Sequence, residues 1–186
     1  MQWMALVLVV SIAVGYLRGG KLRNLTEIRV TMWWLLPLGF IILAGSGWVS
    51  SDQNELAVSL VLISYLPLLL FIWLNRDLPG LWLAGLGILM NFTVIALNGG
   101  MPVLLEAAGI AGNTGDLALD AKHVLLTNGT RLPFLADVIP LPSAVLSLGD
   151  VFLAIGIGVF LEDQIRQPPS LFSHGAQGVA GSATHS

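Results

Sequence analysis

Five long apolar runs, separated by short polar stretches, dominate the hydrophobic pattern of the chain. They are Met1–Leu17, Val30–Val49, Leu56–Leu74, Leu78–Leu97 and Leu141–Leu161. Each is close to the roughly 20 residues that a helix rising 1.5 Å per residue needs to cross about 30 Å of hydrocarbon. Helix is the expected conformation, because lipid cannot hydrogen-bond a bare backbone. No basic residue precedes the first run and no A-x-A-like site follows it. It is therefore expected to be an uncleaved first helix, not a signal peptide. The pattern predicts an all-α membrane protein over residues 1–165, a bundle of about five transmembrane helices with a structured outer segment, 98–140, between the fourth and fifth. Residues 166–186, with their "QPPSLFSHGAQGVAGSATHS", are rich in Gly, Ser, Ala and Pro. That composition predicts a disordered cytoplasmic tail, with His174 and His185 as solvated side chains.

Charge orients the bundle. If the spans alternate, Arg18, Lys21, Arg23, Arg29, Arg76 and Arg166 fall on one side, and only Lys122 and Arg131 on the other. The positive-inside rule then places the N-terminus outside and the C-terminus in the cytoplasm of a bacterial inner membrane. Trp3 and Trp48 fall near outer ends, and Trp33, Trp34, Trp73 and Trp82 near inner ends, where indoles prefer to lie. The composition agrees: 55% hydrophobic and 10% charged over 186 residues, with a mean hydropathy of +0.84. There is no cysteine, which excludes disulfides, thiol catalysis and thiolate metal sites. No basic tract suits nucleic acid. Gly80 with Ala84 and Ala154 with Gly158 have a spacing that lets helices approach closely.

The outer segment opens with "NGGMPVLLEAAGIAGN". Gly99 and Gly100 break the fourth helix, and Pro102 suits the first turn of a new one. Val103–Ile110 is apolar apart from Glu106 and too short to span, so an interfacial or re-entrant helix is predicted. In "NTGDLALDAKHVLLTNGT", Thr114 or Asp116 can cap a helix from about Asp116 to Leu126 that Gly129 ends. Asp116, Asp120, His123 and Thr127 then share one face, and Leu117, Ala121, Val124 and Leu125 another. Two carboxylates and an imidazole at this spacing can ligate a divalent metal, or simply form a solvated polar face; no fourth ligand is evident. Asn128-Gly129-Thr130 matches a glycosylation sequon, a chance match in a bacterial chain.

"ADVIPLPSAVLSLGDV" places Asp137 just before the last apolar run and Asp150 within it. Seven residues after Ser143, Asp150 is expected about 10 Å into the fifth helix from its outer end. Asn91, seven residues before Asn98, is expected at the same depth in the fourth, with Asn91 and Asn98 on a common face. A carboxylate in the bilayer costs 2–3 kcal/mol or more unless it faces the bundle, so Asp150 is expected to point inward toward Asn91. Two roles remain open. Asp150 can bond Asn91, Ser147 or a backbone amide and lock helices together. Alternatively, Asp137 and Asp150 can share a proton and act as acid and base in hydrolysis.

The blocks "NGGMPV", "LPFLADVIPLP" and "SLGDVFLAIGIGVFL" resemble a family of bacterial integral membrane proteins known only as a domain of unknown function, across residues 1–165. The resemblance implies a polytopic inner-membrane protein without an assigned activity. A more distant resemblance is to lipoprotein signal peptidase, an intramembrane aspartyl protease. It implies catalytic roles for Asp137 in "LADVI" and Asp150 in "LGDVFLAIG". Leu148 and Gly149 stand where that family's Asn and Ala would be, and its Gly-Asn…Asp-Arg block is missing. The first reading is therefore a non-catalytic scaffold, subunit or small-ligand-binding membrane protein, and the alternative an intramembrane aspartyl hydrolase. Membrane lipid and subunits of a membrane complex are the expected partners, and the residues call for no cofactor. A transporter fits less well, since paired discontinuous helices are not indicated.

Overall fold

A computed structural model describes residues 2–21, 30–49, 54–112 and 122–166. Six α-helices carry most of them: α1 (Gln2–Leu17), α2 (Leu35–Ser46), α3 (Asn54–Leu74), α4 (Leu81–Asn98), α5 (Leu105–Ile110) and α6 (Leu148–Arg166). Two of them, α3 and α4, are long and apolar enough to cross a membrane. The second run is predicted over twenty residues, but only Leu35–Ser46 is helical, and Thr31–Trp34 forms turns. Asn75 holds that turn in place. Its Oδ1 accepts the Thr31 N–H at 2.7 Å, and its Nδ2 donates to Thr31 O and Phe71 O at 3.0 and 2.8 Å.

The helices pack as neighbours in the order α2, α3, α4, α6, α1. Contact between α4 and α6 is the most extensive and depends on small residues. A Cβ on Gly156 would stand 2.7 Å from Ala84 Cα, and one on Gly87 would meet the α6 backbone at Leu153. The two backbones therefore touch, as small residues permit. The Gly80–Ala84 spacing noted in the sequence lies on this contact. At the far end of α6, Glu162 pairs with Arg18 of α1 and, at 3.5 Å, with Arg166.

Between α4 and α6 the chain builds a small β-structure over the end of the bundle. Gly99, at φ 67°, closes α4 with its N–H on Ile95 O. Met101–Val103 (β1) then pairs in parallel with His123–Leu125 (β2). Pro102 is thus a strand residue and not the start of a helix. Its missing N–H is no handicap there, because its carbonyl begins the ladder by accepting the Asp137 N–H at 2.8 Å. The predicted helix from Asp116 to Leu126 is likewise corrected at its C-terminal part. Residues 113–121 lie outside the described residues, but His123–Leu125 is extended, held by Met101 N–H on Lys122 O and Leu126 N–H on Val103 O. Strand pairing overrides the helical period here, and Leu125, which the sequence places on the apolar helical face, is exposed. Asn128 and Gly129 form a turn after this strand and not a helix cap. The tail from 167 onward also lies outside the described residues.

A 3-10 turn, Pro133–Leu135, leads to the hairpin β3 (Ile139–Leu141) and β4 (Ala144–Leu146). The fifth apolar run is therefore divided. Pro142 and Ser143, the latter at φ 63°, turn its beginning into the hairpin, and the helix starts only at Leu148, so that Glu162 and Asp163 fall inside it. Val58, Val61, Val94, Ile95, Met101 and Leu135 form a buried cluster that joins α3, α4, β1 and the 3-10 turn. This cluster fixes the β-structure over the bundle end, where the polar groups collect.

Candidate functional site

Ser147 and Asp150 open α6 as a reciprocal cap. Ser147 Oγ accepts the Asp150 N–H at 3.0 Å, and Asp150 Oδ2 accepts the Ser147 N–H at 3.1 Å. The spacing is that of a capping box, and the carboxylate also complements the positive end of the helix. Asn91 of α4 closes the group. Its Nδ2 donates to Asp150 Oδ1 at 2.9 Å, and its Oδ1 accepts the Ser147 hydroxyl at 2.9 Å. The expected meeting of Asn91 and Asp150 is present, but the depth argument for it is corrected: Asp150 is the third residue of α6, not a residue two turns inside it. Gly149 makes the approach possible, since a Cβ there would collide with Asn91 Oδ1. Asn98 does not join this group. It ties the end of α4 to Arg131, accepting that residue's N–H at 2.8 Å and donating to its carbonyl at 2.9 Å.

Asp137 comes to the same place from the opposite direction. Its N–H donates to Pro102 O, and its carbonyl accepts the Leu104 N–H at 3.0 Å, so its backbone extends the strand pairing of β1. The side chain is 6% exposed, and its Oδ1 has no hydrogen-bond partner among the described residues. Burial, and next the charge of Asp150, push this carboxyl up to about 8 from its ordinary 3.8. It is therefore a neutral acid at pH 7, while its neighbour Asp150 holds three hydrogen-bond contacts to Asn91 and Ser147.

Both aspartates line one cavity of about 190 Å³. Tyr65 of α3 and Asn91 line it from the bundle, and Lys122 and His123 from the β2 side. Leu43, Val61, Ile95 and Met101 supply an apolar wall. Tyr65 is steadied by an edge-to-face contact with Phe92 at 6.3 Å between ring centres. Lys122 sits toward the C-terminal end of α2, its Nζ 3.6 Å from where a Gly47 Cβ would be.

Most of the proposed metal face falls outside the described residues. Asp116 and Asp120 lie outside the described residues, and His123 stands on a strand at the cavity wall. Among the described residues no three His, Cys, Asp or Glu side chains are grouped to hold a metal. Sequence reasoning missed Tyr65 and Lys122. Tyr65 did carry a signal, as the one hydroxyl-bearing ring inside the third apolar run; Lys122 carried none that points to this cavity.

No solved structure matches the chain. An uncharacterized protein of Thermotoga maritima is 35% identical over 123 residues, which is 62% of this chain and 71% of that protein. Nothing in these comparisons supports the resemblance to lipoprotein signal peptidase. The model of a family of unknown function matches residues 27–162, which include the bundle end, Asp137 and Asp150; the chain belongs to that family, DUF5317.

Proposed function

We propose that the chain is a multi-pass protein of the bacterial cytoplasmic membrane that binds a small polar ligand in the cavity beneath its outer segment. Two helices of spanning length, α3 and α4, support the membrane setting. So do Trp33, Trp34, Trp73 and Trp82, all exposed and all near the bundle end away from the cavity, where an indole belt belongs. Arg76 lies over the Trp73 ring at 4.8 Å, as suits a headgroup boundary. Asn91 lies nine residues beyond Trp82, about 13 Å along α4 and toward the opposite side of a bilayer.

The observation that carries the binding role is the Asp137 carboxyl, buried at the wall of a cavity, with no partner for its Oδ1 among the described residues. A purely structural carboxyl would be satisfied by the protein, as Asp150 is, because a buried unpaired polar group costs about 1–3 kcal/mol. The test is to purify the native protein and its Asp137→Asn variant from the same membranes and identify the small molecules each retains by mass spectrometry. A compound retained by the native protein and lost from the variant is expected. Identical contents, with the fold intact in both, would refute the reading.

One observation favours a second reading, a hydrolase. The two carboxylates face one cavity from unequal surroundings, one neutral acid and one well-bonded neighbour, which is how acid and base roles are divided between carboxyls. In that case both Asp137→Asn and Asp150→Asn retain a compound that the native protein releases cleaved.

A further inference from the structure

The chemistry of the cavity narrows the ligand. Taking the binding reading above as its basis, we propose that the cavity takes the ammonium group of a small primary alkylamine, which Asp137 binds by giving up its proton. The oxygen with no partner among the described residues belongs to an acid, and the charge that acts on it is the negative one of Asp150. The titratable groups facing Asp137 are Tyr65 from α3, Asp150 from α6, and Lys122 and His123 from the β2 side. Lys122 is the one fixed cation among them, and it is drawn toward the carbonyl end of α2 beside Gly47. Once Asp137 ionises, two carboxylates stand against the single Lys122 ammonium, so an entering cation is favoured over an anion.

An ammonium fits better than an alkali ion. It has three N–H donors, and the cavity offers Asp137, the spare lone pairs of Asp150 and the Tyr65 hydroxyl as acceptors. A sodium ion needs a fuller oxygen cage, yet Leu43, Val61, Ile95 and Met101 make up much of the wall. The same apolar wall suits the short alkyl part of an amine. Ionised Asp137 then pairs with the ammonium, and its proton passes to solvent. The amine arrives already protonated, since alkylammonium groups titrate above pH 10 or so. Such a head can come from a free amine or from an ethanolamine lipid headgroup.

The experiment uses the full chain in detergent, with ethylammonium chloride as the probe. Binding and proton release are read together by calorimetry in two buffers of different ionisation heat. Below about pH 8, one proton is expected to leave per ethylammonium bound. The apparent affinity should rise about tenfold from pH 6 to pH 7 and level off above pH 8. Asp137→Asn, whose amide matches the neutral acid in size, should release no proton and bind at least about tenfold more weakly. The proton count on the native protein stands even if that variant does not fold. Tetramethylammonium, with no N–H to donate, should not compete. Loss of ethylammonium binding in phosphatidylethanolamine nanodiscs but not in phosphatidylcholine ones identifies the lipid head as the source; equal binding in both identifies a free amine. Binding without proton release overturns the proposal, and so does equal competition by tetramethylammonium. If sodium alone binds, with one proton released, the ligand class falls but the binding site stands. If no cation binds, the proposal falls, and the comparison of small molecules retained by the native protein and by Asp137→Asn decides the binding reading separately.

Discussion

Replacing Asp137 by Asn should make the protein more stable near neutral pH, and the gain should grow with pH over a defined window. In the folded chain the carboxyl titrates at about 8, and its ordinary value is 3.8. Below pH 3.8 it is protonated in both states, and whatever it contributes to stability is fully present. Between the two values the unfolded chain has lost its proton while the folded chain keeps it. The folded state binds the extra proton, so stability falls by about 1.4 kcal/mol for each pH unit. Above about pH 8 both states are ionised and the fall ends. A gap of about four pH units corresponds to a total of about 5 kcal/mol, of which about 4 kcal/mol has gone by pH 7. The side chain is 6% exposed, so solvent does little to screen this. Asn does not titrate, and it keeps the shape of the neutral acid.

The assay is equilibrium unfolding of both proteins in one detergent, in amine-free buffers, from about pH 4 to about pH 9. The measured quantity is the difference between the two proteins, which cancels the titration of groups they share. It should be near zero at the acid end, grow steadily in favour of Asp137→Asn, and flatten above about pH 8. Curves that stay parallel across the whole range would refute the burial argument, because they would mean that Asp137 titrates alike in the folded and unfolded chains.

Asp150→Leu should destabilise by about 2–4 kcal/mol in the same assay, because it leaves the Asn91 amide and the Ser147 N–H without acceptors; Asp150→Asn, which can still accept, should be milder, and equal effects would count against the cap. Gly149→Ala should cost about 1–3 kcal/mol by driving a methyl group into Asn91 Oδ1, and a neutral outcome would show that α4 and α6 are not in backbone contact there. The chain has no cysteine, so single cysteines report topology cleanly. Asp52→Cys and Thr114→Cys should react with an impermeant reagent outside intact cells and Asn24→Cys and Ser170→Cys should not; labelling at position 24 would reverse the orientation.

The helices α3 and α4 were legible because their apolar runs are long and end at plain punctuation: Leu74 before "NRD", and Asn98 before two glycines. The pairing of Asn91 with Asp150 was legible for a different reason. Few polar groups interrupt the apolar runs, and those that do must find one another. The depth of Asp150 was not legible. A hydrophobic count treats "IPLPSAVL" as the start of a span, whereas its prolines and the ladder from Val138 N–H to Leu146 O turn it into a hairpin. The strand at His123–Leu125 was hidden in the same way. Its partner, Met101–Val103, lies some twenty residues away in sequence, and no local period reports a pairing of that kind. The cavity went unseen because it is assembled from α2, α3, α4, α6 and both sides of the β-structure at once.

What unites the two aspartates is a difference in how the fold treats them. Asp150 stands where a helix start, a neighbouring amide and a serine all favour a carboxylate, so its position lowers the energy of the fold. Asp137 is carried by backbone bonds to Pro102 and Leu104 into a place where its charge is unwelcome and one oxygen has no partner among the described residues. An Asn or a Leu there would relieve that strain with no change to the strand pairing, which uses main-chain atoms alone. A residue that the scaffold holds against its own stability, beside another that the scaffold has satisfied, is what the proposed binding role calls for. The structural reading of Asp150 and the functional reading of Asp137 are therefore compatible. On the proposed reading, the capped aspartate supplies a fixed negative field, and Asp137 supplies the proton that a ligand displaces.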